Sequence, residues 1–309
     1  MSTEEELSGL TPSKGTLLTI GVFDGVHLGH RRLVASLVEQ AKAMGLISGV
    51  IVFRQHPQSL LGCHPSPPFL TNLPQRIKLL KEEGADVVFP LSFTMDLAQT
   101  GVRQFISLLQ QQLKMCGLVL GPDATLGRGQ EGKIDTLRRL SREIKFSLTV
   151  VPHFEVDGEA VSSTGIRQAL ADGDIKKASR MLGRSYSLEG DVITGTNRGT
   201  DLDFPTANLD IEAGRALPQD GVYVTLAYFD NQCHRSVTAI GRRPTFGPEE
   251  RHVEVHIIGF EGTLYRHQLK IDIIDRLRDI RKFDSVAELK KQIARDIQQA
   301  QDMFDNMKC

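Results

Sequence analysis

The sequence predicts an α/β protein whose first half builds a parallel sheet and whose second half builds a small antiparallel β-barrel with a terminal helix. Three observations carry that reading. Up to about residue 182, apolar strand-like runs alternate with stretches of helical period, as βαβ units require. From Tyr186 onward short alternating strands and hairpin turns follow one another at the spacing of a barrel. Beyond Ser285 the helical period returns once more, to the end of the chain.

The first strand is the apolar run 17–23, interrupted by Gly21. It ends at Asp24-Gly25, and from about Leu28 the pattern is helical: Leu33, Leu37, Ala41 and Met44 recur every three or four positions, and Gly45 stands where a C-cap favours glycine. The β-branched run 47–53 is a second strand ending at His56-Pro57, and the proline-containing segment 64–72 is a loop. Residues 74–83 read as a helix with Ile77, Leu79 and Leu80 inward, 85–93 as a third strand, 102–115 as a helix and 117–123 as a fourth strand. A helix over 133–143, a fifth strand over 147–156 and a helix from about residue 162 to Leu182 complete the half. In the second half, 186–193 is a strand, Asp230-Asn231 is the turn of a hairpin over 221–241, and Glu261-Gly262 is the turn of another over 252–274. Ser285 and Glu288 form a capping-box pair opening the last helix, whose apolar face is Leu289, Ile293, Ile297, Ala300 and Phe304.

Composition narrows the function classes. Net charge is −1, which argues against a general nucleic-acid binder, and 24% charge with 40% hydrophobic residues is ordinary for a globular chain. The acidic start MSTEEELSG lacks the basic and apolar regions of a signal peptide, and no apolar run is long enough to span a membrane. Four scattered cysteines without a C-x-x-C pattern argue against structural zinc and a disulfide framework. The expectation is a cytoplasmic protein of two domains.

The chemistry concentrates at strand ends. In a parallel sheet, ligands bind at the carboxyl ends of the strands, and GVFDG, VFRQHP and LGPDATLGRG all fall there. His27 and His30 stand three apart at a helix entry, where main-chain N–H groups and the helix dipole favour an anion. Gly29 removes a side chain where a ligand could press on the backbone. The same residues would serve as ordinary polar residues opening a surface helix. Ser162, Ser163 and Thr164 could cap the helix carrying Arg167, or offer hydroxyl and N–H groups to a phosphate. In the second half, Pro205, Thr206 and Asn208 could be turn residues and Glu254 a surface strand residue, since alternation places Glu254 and His256 together on one face.

The string GVFDGVHLGH resembles the H-x-G-H signature of the nucleotidyltransferase superfamily, and more closely the adenylyltransferase half of bacterial bifunctional riboflavin kinase/FAD synthetases. VSSTGIRQAL resembles the I-S-S-T-x-I-R signature of the same superfamily. DFPTANLDI, GVYV, IGRRPTFG, EVHIIGF, LRDIRKFDS and the final helix follow riboflavin kinase in order and spacing, so the resemblance runs from about residue 17 to 304. It implies a Rossmann-like nucleotidyltransferase domain over 1–182 and a riboflavin kinase barrel over 183–309. It implies ATP-dependent phosphorylation of riboflavin to FMN, then adenylylation of FMN to FAD with release of pyrophosphate. His27 and His30 would stabilise charge on the α-phosphate, with Gly21, Phe23, Asp24, Gly29, Asp123, Arg128, Ser162, Ser163, Thr164 and Arg167 completing that nucleotide site. Glu254 would be the base of the kinase, with Gly195, Thr206 and Asn208 at the phosphates and Thr206 and Asn208 holding Mg²⁺. Riboflavin, FMN and ATP are the implied partners of a monomer or weak homo-oligomer that binds neither nucleic acid nor membrane.

Departures from the family pattern are specific. Val22 stands where asparagine is usual, and Pro122, Ala124 and Leu126 replace aromatic residues expected to stack on flavin. In the kinase loop Thr200 replaces an arginine and Asp203 a glycine, and acidic residues facing a phosphate site weaken ATP binding. Retention of one activity alone, or of ligand binding without turnover, are the competing readings.

Overall fold

In the computed structural model, described over residues 3–9, 11–62, 66–193, 204–242, 251–262, 264–265 and 267–307, the chain divides into two compact units, 1–163 and 164–309. The first is built on a five-stranded parallel sheet, β1 (Thr16–Gly21), β2 (Ile47–Phe53), β3 (Val87–Leu91), β4 (Met115–Leu120) and β5 (Ser147–Val150), in the order β3-β2-β1-β4-β5. Helices α1 (Thr3–Ser8), α2 (Leu28–Met44), α3 (Pro57–Leu61), α4 (Leu73–Glu82), α5 (Met95–Gln99), α6 (Val102–Leu113) and α7 (Ile134–Glu143) accompany it.

The strands are near-continuous apolar runs because both faces are covered. Leu18, Ile20, Ile51, Phe53 and Leu118 pack with Phe105, Ile106 and Leu109 of α6 and Leu137 of α7. Leu17, Val50, Val52 and Val119, from the other face, pack with Val34, Leu37 and Ala41 of α2 and Leu80 of α4. Strand order reverses between β1 and β4, so the crevice favoured for ligands opens beyond the carboxyl ends of these two strands.

Helices α8 (Ser163–Ala171) and α9 (Ile175–Leu182) lead into the second unit. Strands β8 (Tyr186–Ile193), β9 (Ala207–Ile211), β10 (Gly221–Phe229), β11 (Gln232–Arg242), β12 (Arg251–Ile257) and β13 (Gln268–Arg278) close a barrel in the order β10-β11-β12-β9-β8-β13. Asp230 and Asn231 turn β10 into β11 with φ of 48° and 59°, the left-handed pair of a tight hairpin. Helix α10 (Val286–Asn306) lays Ala300 and Phe304, flanked by Ile297 and Met303, over Val222, Val224 and Val237 on the barrel's outer face. The Ser285 side chain accepts the Glu288 N–H at its start.

Four expectations are corrected. The fifth strand stops at Val150, and Glu155–Val156 (β6) pairs instead with Glu159–Ala160 (β7) in a separate small hairpin. The helix expected to run to Leu182 breaks at Gly173, whose φ of 76° ends α8, and Asp174 caps α9 by accepting the Lys177 N–H. Met115 is the first residue of β4 and not the last of a helix, since Lys114 takes a left-handed conformation between them. Glu261-Gly262 is no hairpin turn: β12 pairs with β11 and β9, whereas β13 pairs with β10 and β8.

Candidate active sites

The turn after β1 is shaped by two non-glycine residues in the left-handed region, Phe23 (φ 52°) and Val26 (φ 38°). Bulky and β-branched side chains disfavour that region, so the turn is held from outside. The Asp24 carboxylate, 3% exposed, accepts the Leu70 N–H (2.9 Å) and the Thr71 N–H (3.1 Å), and Gly25 N–H donates to Thr71 Oγ1 (2.9 Å). Asp24 therefore faces the 70–71 segment. Gly21 lies against the Phe23 ring, where a β-carbon would come within 3.2 Å.

His27 is the N-cap of α2, and its Nδ1 accepts the His30 N–H at 3.3 Å. That bond fixes its tautomer with the proton on Nε2. The His30 ring stacks on it with centroids 3.7 Å apart and planes 15° from parallel, and the Phe23 ring tilts against His30 at 5.1 Å. A β-carbon on Gly29 would stand 3.2 Å from the His27 ring, so the room that Gly29 leaves is taken by His27 itself. Although some of the His30 ring meets solvent, its Nδ1 is enclosed with no hydrogen-bond partner. Burial, and then the adjacent His27, hold its pKa well below the usual imidazole range. His30 is thus held towards its neutral form beside His27, and the two stacked rings stand preorganised at a helix entry suited to receive negative charge.

Ser163 Oγ donates to the Asp24 carbonyl at 2.9 Å and ties the end of the unit to this turn. Ser162 precedes it, while Thr164 and Arg167 follow in α8, whose later residues cluster with the second unit. Past β4, Asp123 and Arg128 are exposed, with His153 Nε2 3.0 Å from the Asp123 carboxylate. Leu126 is buried in the sheet core and Ala124 and Val22 pack against it, so among the departures these three have structural work. Glu131 caps α6 by accepting the Val102 N–H at 2.7 Å and thereby fastens the loop carrying Arg128.

In the barrel, Glu254 of β12 lies directly opposite Asn208 of β9, with Val255 opposite Ala207. Paired residues project to the same face, so the register brings two candidates together. Val253 and Val255 are buried and Glu254 and His256 are half-buried, as alternation predicts. Thr206 stands one residue before β9, in a segment docked on β12: His256 Nδ1 lies 2.9 Å from the Pro205 carbonyl oxygen, and its ring meets Phe204 edge-on. Gly195, Thr200 and Asp203 lie outside the described residues.

Sequence reasoning missed Leu70, Thr71, Glu131 and His153. The Asn72-Gln75 capping box, present with both of its hydrogen bonds, was the available signal that the 70–75 segment is fixed in place.

A family model described as FAD synthetase matches residues 10–165, and one described as riboflavin kinase matches residues 182–304. The chain is 35% identical to a bifunctional riboflavin kinase/FMN adenylyltransferase of Escherichia coli (strain K12), over 95% of this chain and 94% of that one. Identity to the Bacillus subtilis (strain 168) protein of the same name is 32%, with the same coverage. A crystal structure described as a macrolide-efflux protein from Streptococcus pneumoniae superposes with a TM-score of 0.88 at 28% identity, covering 97% of each chain. Among the described residues here, no helix is long and apolar enough to cross a membrane. The chain belongs to the family of bifunctional riboflavin kinase/FMN adenylyltransferases.

Proposed function

We propose that the chain phosphorylates riboflavin to FMN and then adenylylates FMN to FAD, with ATP the donor in both steps. The observation that carries the reading is that each family match is supported by its own gathered set of candidates: the stacked His27 and His30 in one unit, the paired Glu254 and Asn208 in the other. We assign adenylyl transfer to residues 1–182 and phosphorylation to residues 183–309.

In adenylyl transfer an FMN phosphate oxygen attacks the α-phosphorus of ATP, the bond to the bridging oxygen breaks in line, and pyrophosphate leaves. His27 and His30 offer ring nitrogens to the charge that grows on the α-phosphate, while Ser162, Ser163, Thr164, Arg167, Asp123 and Arg128 hold the nucleotide. In phosphorylation, Glu254 takes the proton from the terminal ribityl hydroxyl as its oxygen attacks the γ-phosphorus and ADP leaves. The hydroxyl of Thr206 and the amide oxygen of Asn208, beside the Glu254 carboxylate, form a hard oxygen donor set that suits Mg²⁺, which would offset phosphate charge there. We expect a monomer or weak homo-oligomer acting in the cytoplasm.

The test is incubation with riboflavin, ATP and Mg²⁺, with flavins resolved by chromatography. FMN should accumulate first and FAD follow. Absence of either product would remove the corresponding activity from this chain.

A further inference from the structure

Arg76 is 1% exposed, and its position in α4 is one turn before the buried Leu80, on the side facing the sheet. A guanidinium buried at such a position needs acceptors around its terminal nitrogens, and Arg76 has them. Its Nη1 donates to the Val22 carbonyl (2.8 Å) and the Phe53 carbonyl (2.9 Å), its Nη2 donates to the Arg54 carbonyl (3.0 Å), and it lies 4.8 Å from the centre of the Phe69 ring. These carbonyls sit where β1 and β2 end, at the site edge of the sheet. Val22 immediately precedes Phe23, the first left-handed residue of the turn carrying the histidines.

A turn with Phe23 and Val26 in the left-handed region persists only where its surroundings over-determine it. Several anchors do so, Ser163 on the Asp24 carbonyl among them, and the 70–76 segment supplies the rest: the Asp24 carboxylate bound by Leu70 and Thr71, the Gly25 N–H held by Thr71 Oγ1, and the Val22 carbonyl bound by Arg76. We propose that Arg76 is a positioning residue for adenylyl transfer, locking the ends of β1 and β2 so that the turn presents the His27–His30 ring pair to the α-phosphate. The proposal rests on the adenylyl-transfer reading of those histidines. Its effect belongs to the transition state, because ring placement governs how growing charge is met and not how the rest of the nucleotide is gripped. A lysine retains the charge but brings one nitrogen where the guanidinium spreads several in a fixed plane, and a methionine fills the space while donating nothing.

Arg76→Lys and Arg76→Met, made in the full chain, are compared with wild type for thermal melting, riboflavin phosphorylation, and kcat and KM of FAD formation from FMN and ATP. In the lysine variant, kcat for FAD should fall on the order of tenfold with both KM values within about twofold, while melting and phosphorylation stay at wild-type level. The methionine variant should fall on the order of a hundredfold, so that lysine counts as a partial rescue. Wild-type kcat in a folded methionine variant would overturn the proposal, as would a loss carried by KM alone. Loss of the first unit's melting transition in both variants would make Arg76 a folding brace and overturn it too. A wild-type chain that forms FMN but no FAD would instead sink the adenylyl-transfer reading itself, and this role with it.

Discussion

His30 keeps its Nδ1 enclosed and its ring stacked on His27, and both burial and that neighbour keep the proton off it. The unfolded chain binds this proton near the ordinary imidazole pKa of roughly 6.5, and the folded chain binds it only at a lower pH. Between those two values the unfolded state holds more protons, so this contribution to stability is complete above about 6.5 and is lost as pH falls through the window. A His30→Asn chain should therefore lose less stability than wild type on acidification, read from denaturant midpoints across that range. Equal slopes would mean that the folded protein accepts the proton freely. For catalysis, His30→Ala should cut FAD formation ~10²–10³-fold, the usual loss for one charge-stabilising donor, and leave riboflavin phosphorylation intact. Glu254→Gln retains size but cannot accept a proton, so phosphorylation should fall ~10²–10⁴-fold with FAD formation from FMN preserved. Riboflavin turnover by the Gln variant within a few-fold of wild type would return Glu254 to being a strand residue facing solvent. Spacing and alternation put both residues on a defined side of a helix turn and a strand but left an ordinary structural role open, and it is the family resemblance that singled them out. Arg76 was not legible, because a charge within a helical repeat ordinarily marks the solvent face, and only the three-dimensional path of β1 and β2 reveals three carbonyls waiting there.

Elements were readable wherever local chemistry decides them. Gly45 ends α2 at φ 66°, and Asp230-Asn231 forces a hairpin in its expected place. Pairing partners were not readable, since alternation marks β12 and β13 as strands without saying that barrel closure puts two other strands between them on one side. The break between α8 and α9 had a local signal, Gly173 followed by Asp174, which the continuing helical period on both sides concealed. The terminal helix owes its register to more than its apolar face. Asp296, buried within it, accepts from Arg278 Nε (2.9 and 3.0 Å) and Nη2 (2.6 Å) of β13, and Gln292 Nε2 donates to the same carboxylate (2.8 Å). Asp296→Ala leaves the guanidinium without this fork, and should cost about 2–3 kcal/mol, below the ~3–5 of a fully buried pair because Arg278 stays partly wetted. Thermal inactivation of riboflavin phosphorylation is the readout. Unchanged inactivation would show that apolar contacts alone hold the helix to the barrel.

At the scale of the whole molecule, one chain carries the His27–His30 pair in its first compact unit and the Glu254–Asn208 pair in its second, and FMN is the product of one step and the substrate of the other. If FMN leaves the barrel through solvent, the two units need not be intact in the same chain. A mixture of His30→Ala and Glu254→Gln chains then contains one working site of each kind, divided between molecules. Supplied with riboflavin, ATP and Mg²⁺, the mixture should form FAD after a lag while free FMN builds up, although neither variant alone completes the sequence at an appreciable rate. The lag should shorten as the concentration of the Glu254→Gln chain is raised, because that chain consumes the released FMN in a bimolecular encounter. Wild type at equal site concentration reports whether being covalently joined adds anything: an identical lag means that linkage confers no raised effective concentration, whereas a much shorter one means that it does. If each variant retains its own remaining step yet the mixture makes no FAD, FMN formed in the barrel is not released to solvent, and both steps must take place within a single chain.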